Sequence, residues 1–365
     1  MKLAIVRQKY TPFGGAERFV ERALAALQAD GVDVSIIARE WQDDAAGGIR
    51  GVRVNPFYIG RTWRDAGFAR AVQHLIARQG FDLVQSHERI PGCDIYRAGD
   101  GVHATWLELR NKPLDRLAPW HRYTLAAEAE MFRHPGLRAV ICNSCMVRDD
   151  IALRFGVAAE RLQVIHSGVD LDAFHPRLRE TQGRVLREKT GVDVATPVIL
   201  FVGSGYERKG LPTLLRGLAG MTRRDARLWV IGRDKRESLM RSLAQTLGVD
   251  ERVLFLGAQT DVRPFYGAAD VFALPSLYDP FPNAALEALA CGLPLLTTTT
   301  CGAAEFVTAA NGVVITAGDV AVLAASLDML CANASAMRDA ARASVAHLDL
   351  ARMAAQLTAL YSRLG

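Results

Sequence analysis

The 365-residue sequence predicts an α/β protein of two Rossmann-like domains facing each other across a cleft. Three observations carry that expectation. Short apolar runs alternate with longer amphipathic stretches, the pattern of parallel sheets covered by helices. Several of the runs end in glycine, which suits strand ends that face a ligand crevice. The length allows two domains at about 100–200 residues each.

Leu3–Val6 is the first strand. Gly14-Gly15 punctuates the turn after it, and residues 15–30 read as a helix because Phe19, Val20, Ala23, Leu24 and Leu27 recur at helical spacing. Val32–Ala38, Asp82–Ser86, Ala139–Cys142 and Gln163–Ile165 are the next strands. The first domain is expected over 1–176. Residues 177–193 are polar and charged, a linker with a short helix. The second domain, 177–365, has strands at Pro197–Gly203, Arg227–Gly232, Arg252–Gly257, Val271–Pro275 and Leu293–Thr297. From Val320 onward the chain reads as helix, and its last helix is a candidate to cross back to the first domain.

Half of the residues are hydrophobic and 23% are charged, which is ordinary for a soluble globular protein. A net charge of +5 suits an anionic ligand or an anionic membrane surface and is too small to suggest a nucleic-acid partner. The apolar stretch behind Met1 is too short for a signal peptide, and no apolar run approaches the eighteen or so residues of a membrane span, so a cytoplasmic location is expected. Of six cysteines only Cys142 and Cys145 have C-x-x-C spacing; no second pair or histidine cluster completes a zinc site, and reduced thiols are expected.

Three stretches carry candidate chemistry. Gly14 and Gly15 lie at a strand-to-helix turn, where backbone N–H groups and a helix N-terminus favour an anion, although many α/β turns carry glycine for structure alone. The run Gly203–Gly210 holds Arg208 and Lys209 before a helix; it lacks the Ser/Thr and spacing of a Walker loop, and its cations suit a diphosphate. The third runs from Asp279 in a loop to Glu287, two turns into a helix that Asn283 and Ala284 begin. A carboxylate there accepts hydrogen bonds from sugar or ribose hydroxyls, and the first free N–H groups of the helix can meet phosphate.

Together these sites resemble the retaining, two-domain glycosyltransferases of family 4, over nearly the whole chain. Ala269–Ser276, the Glu287 helix with Ala290–Pro294, the Arg208-Lys209 pair and His166–Pro176 carry the resemblance. It implies the GT-B fold, with an acceptor-side first domain and a nucleotide-sugar-binding second domain. It implies that Arg208 and Lys209 neutralise the donor diphosphate, that Gly15 brings its N–H to the same phosphates, and that Glu287 binds the ribose. Asp279 would hold the donor sugar, where the family pattern has glutamate; the shorter aspartate leaves the exact sugar open. Asp100 and His103 are expected at the cleft edge, the histidine equally readable as a hydrogen-bonded surface residue. Within the family, residues 9–15, 91–96 and 203–210 look most like enzymes that transfer glucose from a UDP-sugar to the lipopolysaccharide inner core. Capsule or O-antigen transfer, and a non-catalytic sugar-nucleotide-binding protein, are the alternatives.

No Asp-x-Asp metal motif stands at a strand end, so neither a divalent metal nor another cofactor is expected. An NAD-dependent dehydrogenase is disfavoured because the Gly14-Gly15 turn lacks G-x-G-x-x-G spacing. Between His103 and Arg138 the chain interleaves Trp106, Leu107, Leu109, Leu114, Leu117, Trp120, Tyr123 and Phe132 with six basic residues. That mixture fits either peripheral attachment to the cytoplasmic face of an anionic membrane, which would serve a lipid-linked or oligosaccharide acceptor, or ordinary packing within the first domain.

Overall fold

The computed structural model describes residues 1–10, 31–41 and 50–365. The chain divides into two compact units, Met1–Gly168 with Leu350–Gly365, and Val169–Asp349. The division falls at Gly168, eight residues before the boundary that the Phe174-His175-Pro176 run suggests.

The first unit contains β1 (Lys2–Tyr10), β2 (Asp33–Trp41), β3 (Arg50–Arg53), α1 (Gly60–Arg78), β4 (Leu83–Ser86), β5 (Ile95–Ala98), α2 (His103–Arg110), α3 (Pro119–Arg133), β6 (Ala139–Cys142), α4 (Cys145–Phe155) and β7 (Leu162–Val164). Its sheet runs β3-β2-β1-β4-β5-β6-β7, and every pairing is parallel. Side chains alternate across a strand, so a strand covered on both faces must be apolar at every position. The Leu3–Val6 stretch of β1 meets that condition: Leu3 and Ile5 join one buried cluster, Ala4 and Val6 another. The helix at the C-terminus of the chain (Leu350–Leu364) packs Met353, Leu357, Leu360 and Tyr361 into the first of these clusters. Tyr361 Oη donates to Gln85 Oε1 on β4 at 2.6 Å.

The second unit contains α5 (Arg184–Thr190), β8 (Val198–Val202), α6 (Leu211–Gly220), β9 (Arg227–Ile231), α7 (Glu237–Thr246), β10 (Val253–Gly257), α8 (Arg263–Ala268), β11 (Val271–Leu274), α9 (Asn283–Ala290), β12 (Leu295–Thr298), β13 (Gly312–Ile315) and α10 (Val320–Val345). The C-terminal helix of the first unit is α11. The second sheet is also parallel, in the order β10-β9-β8-β11-β12-β13, so the winding reverses between β8 and β11. One described helix, α10, is long and apolar enough to span a membrane, which the sequence reading did not anticipate. Its Leu323, Leu327 and Leu330 are fully buried in the core of the second unit, which accounts for the apolarity.

Strands β3, β5 and β13 had no counterpart in the sequence reading. β3 is four residues of exposed or half-exposed edge, β5 carries a buried arginine at its third position, and β13 is only four residues long. Each lacks the long apolar run that identifies a central strand.

Candidate active site

In an open doubly wound sheet, ligands bind beyond the carboxyl ends of the strands, where the winding reverses. In the second unit that is the space between the loop after β8 and the loop after β11. The first loop, Gly203–Gly210, carries Arg208 and Lys209; the second carries Asp279 and leads to α9. Lys209 Nζ donates to Asp279 Oδ2 at 2.8 Å, and Arg208 Nη1 stands 3.9 Å from Asp279 Oδ1. Arg208 also donates to the Tyr278 carbonyl at 3.2 Å, and the Leu277 N–H donates to the Arg208 carbonyl at 2.8 Å, so the loops are joined through backbone. The Asp279 side chain is only 6% exposed and that of Arg208 38%: the acid is buried and the guanidinium reaches solvent.

Local chain geometry makes this arrangement. Gly203 has φ +149°, and a Cβ there would lie 2.5 Å from Lys209 Cδ, so the missing side chain is where the lysine stem passes. Gly210, at φ +78°, sits against the Pro275 carbonyl, where no Cβ fits. Gly203 and Gly210 thus make room for neighbouring protein atoms, a reason that the crevice argument did not contain. Asp234, after β9, accepts from the backbone N–H of Tyr206 at 2.9 Å and of Arg236 at 2.8 Å. Burial pushes its carboxyl up, but the donations from Arg236, Tyr206 and Gly205 outweigh burial and hold it below the usual range. Asp279 is pinned in turn: its N–H donates to the Thr300 carbonyl and its carbonyl accepts from the Gly302 N–H. The sequence singled out neither Asp234 nor the Thr300–Gly302 turn.

Helix α9 begins at Asn283 with no side chain capping it. Asn283, Ala284 and Glu287 are half-buried. Glu287 is the fifth residue of the helix, just over one turn from its start rather than two. Its Oε2 accepts from the hydroxyl of the buried Tyr266, on α8, at 2.8 Å. Nearby, a surface cavity of about 480 Å³ opens at the ends of β9 and β10, lined by Arg233, Asp234, Lys235, Glu237 and Gly257.

In the first unit the corresponding reversal lies between β1 and β4. Gly14 and Gly15 follow β1 and lie outside the described residues. Asp100 is exposed just beyond β5. His103 opens α2 and is buried, with its Nε2 2.9 Å from His121 Nδ1 and its ring edge-on to Trp120. Its N–H donates to Glu128 Oε1 at 2.9 Å, and Arg89 Nε donates to the same oxygen at 2.9 Å. Burial, then Arg89 and His121, push the His103 pKa down to about 3, so the ring is neutral at pH 7. Glu88, just past β4, is a residue that sequence reasoning missed; burial raises its carboxyl, the Gln8 N–H opposes that, and Asp100 adds to it.

The apolar residues of the His103–Arg138 segment are not all in the core. Leu107 and Phe132 are core residues. Leu114 and Leu117 are 78% and 69% exposed, beside exposed Lys112, Arg116 and Arg122.

Two wholly parallel sheets covered by helices, one in each unit, are the architecture of the GT-B fold. Family models agree: glycosyltransferase family 4 matches residues 13–173, and glycosyl transferases group 1 matches residues 196–333. The chain belongs to the family 4 glycosyltransferases. It is similar to the lipopolysaccharide glucosyltransferase WaaG of Escherichia coli K12, 28% identical over 85% of this chain and 84% of that protein. A crystal structure of WaaG, a glycosyltransferase involved in lipopolysaccharide biosynthesis, superposes with a TM-score of 0.86 at 26% identity, covering 97% of this chain and 98% of the other. The lipopolysaccharide core biosynthesis glycosyltransferase LpsE of Rhizobium meliloti is 34% identical over 42% of this chain and 46% of its own.

Proposed function

We propose that the enzyme is a retaining hexosyltransferase that moves glucose from a UDP-sugar to a lipid-linked saccharide acceptor, the lipopolysaccharide inner core. The observation that supports the donor half is the meeting of Arg208 and Lys209 with Asp279 where the second sheet reverses. Transfer builds negative charge on the departing diphosphate, and preorganised cations stabilise that charge without moving a proton. In this reading Arg208 and Lys209 hold the diphosphate, assisted by the uncapped N–H groups at Asn283 and Ala284. Glu287 accepts from the ribose hydroxyls, and Asp279 from the donor sugar. Asp100 and the neutral His103 ring serve the acceptor side. The two cations supply the charge that a divalent metal would otherwise bring. The acceptor half rests on WaaG, named a lipopolysaccharide glucosyltransferase, and on LpsE, named for lipopolysaccharide core biosynthesis.

Peripheral membrane attachment belongs to the same reading. Leu114 and Leu117 are exposed, as are Lys112, Arg116 and Arg122 close by in the chain, Arg116 paired with Glu108 at 3.3 Å. Phe57, Ile59 and Trp63 are also exposed, and Arg61 lies 3.9 Å over the Trp120 ring. Such a surface suits an anionic leaflet.

Titrating UDP into wild type and Arg208→Ala tests the donor site. Losing a charge-assisted contact costs about 1.5–3 kcal/mol, so the variant binds roughly ten- to a hundredfold more weakly. Equal affinity removes Arg208 from the phosphate site. Screening UDP- and GDP-sugars with a core acceptor then fixes the sugar.

A further inference from the structure

A glutamate on a helix surface has three side-chain torsions, and a site that must tell one hydroxyl from another needs its carboxylate held in one orientation. Helix α9 alone does not supply that. Tyr266 approaches Glu287 from a different element, α8, and is almost fully buried. Its hydroxyl lies 2.8 Å from Glu287 Oε2 and 3.2 Å from the Ala284 carbonyl oxygen. An O–H has one proton, and the charged carboxylate is the stronger acceptor. The ring has little freedom: it stands edge-on to Phe174 with centroids 5.7 Å apart and tilted against Phe272 at 6.0 Å. Burial, then the Glu287 charge, pushes the phenol well above its ordinary value, so it stays a donor throughout the working pH range.

We infer that Tyr266 is a positioning residue for donor recognition: by occupying one lone pair of Glu287 Oε2 it fixes the carboxylate plane, and so sets how strongly the enzyme distinguishes a ribonucleotide from its deoxy analogue. The inference rests on the assignment of Glu287 to the ribose. Tyr266 touches no substrate and acts only through Glu287.

The test measures the affinities of UDP and 2′-deoxy-UDP for the full chain as wild type, Tyr266→Phe, Glu287→Gln and the double variant, with thermal melts alongside. Phenylalanine keeps the ring and its packing, so the fold is retained. Wild type prefers UDP. Tyr266→Phe binds UDP about tenfold more weakly and loses most of the preference, the size expected for a hydrogen bond to a charged group. The transfer rate at saturating donor changes little. Glu287→Gln loses the preference too, and adding Tyr266→Phe to it costs nothing more. A purely structural tyrosine would lower the melting temperature and leave the UDP to deoxy-UDP ratio where it was. That ratio surviving in Tyr266→Phe while Glu287→Gln abolishes it overturns the role of Tyr266 and leaves the ribose assignment standing. The ratio surviving in Glu287→Gln removes the ribose assignment, and this inference with it.

Discussion

Replacing Asp279 by asparagine should make the protein less stable and its grip on UDP tighter, two changes of opposite sign from one lost charge. Asp279 is the buried counter-ion of Lys209 at 2.8 Å and stands 3.9 Å from Arg208. Those are the cations assigned to the donor diphosphate. A phosphate oxygen bonded to Lys209 Nζ from the opposite side would lie about 5.6 Å from the Asp279 carboxylate, two such bonds end to end. One pair of like charges at that distance repels by about 3 kcal/mol at an effective dielectric of ~20 and by about 0.7 kcal/mol in water. Arg208 is partly solvated, so the true figure falls between, and asparagine should raise UDP affinity on the order of tenfold. Meanwhile Lys209 loses its carboxylate, and breaking a buried pair costs up to ~3–5 kcal/mol, reduced here because asparagine still accepts a hydrogen bond. Calorimetric titration of UDP and a thermal melt read both effects, and a transfer assay should show slower turnover because the proposed sugar contact loses its charge. A folded Asp279→Asn protein that binds UDP no more tightly than wild type would refute the placement of the diphosphate between Arg208 and Lys209.

Three further outcomes follow from the same structure. Transfer should survive EDTA; complete loss restored by magnesium or manganese would show that the cations do not suffice. The His103 pKa is depressed to about 3 from the ordinary 6.5, so between those values the unfolded chain binds a proton that the folded one refuses, and stability falls as pH falls through that window. His103→Phe should flatten the slope by up to about 1.4 kcal/mol per pH unit in acid denaturation profiles, and an unchanged slope would mean the ring titrates normally. Anionic vesicles at low salt should sediment the protein, less so when Lys112, Arg116 and Arg122 become glutamine; no sedimentation of the wild type would leave these residues without a membrane role.

The parallel architecture was legible because Leu3–Val6 of β1 and the whole of β8 and β11 are apolar at every position, as strands covered on both faces must be. The Gly203–Gly210 loop was legible as a turn, but not why it needs Gly203, since the stem of Lys209 folds back over it only in three dimensions. Tyr266 drew no notice: nothing local says that its hydroxyl reaches a carboxylate 21 residues on. His103 had two readings because its surroundings are supplied by Glu128, 25 residues away, and His121, 18 residues away. Periodicity reports which face of an element is covered, and such long-range polar partners leave no periodic trace.

The packing of α11 has a consequence for biosynthesis. Leu350–Gly365, translated after the whole of the second unit, complete the hydrophobic layer beneath β1, β2 and β4, so the unit whose translation begins first is finished after the other. The nucleotide-side unit, continuous from Val169 to Asp349, has all of its strands available earlier and can fold while the other waits with an uncovered sheet. A stop codon after Asp349 would therefore damage the amino-terminal half of the protein, leaving Leu3, Ile5 and Ile36 exposed, while the unit that immediately precedes the truncation keeps its own core intact.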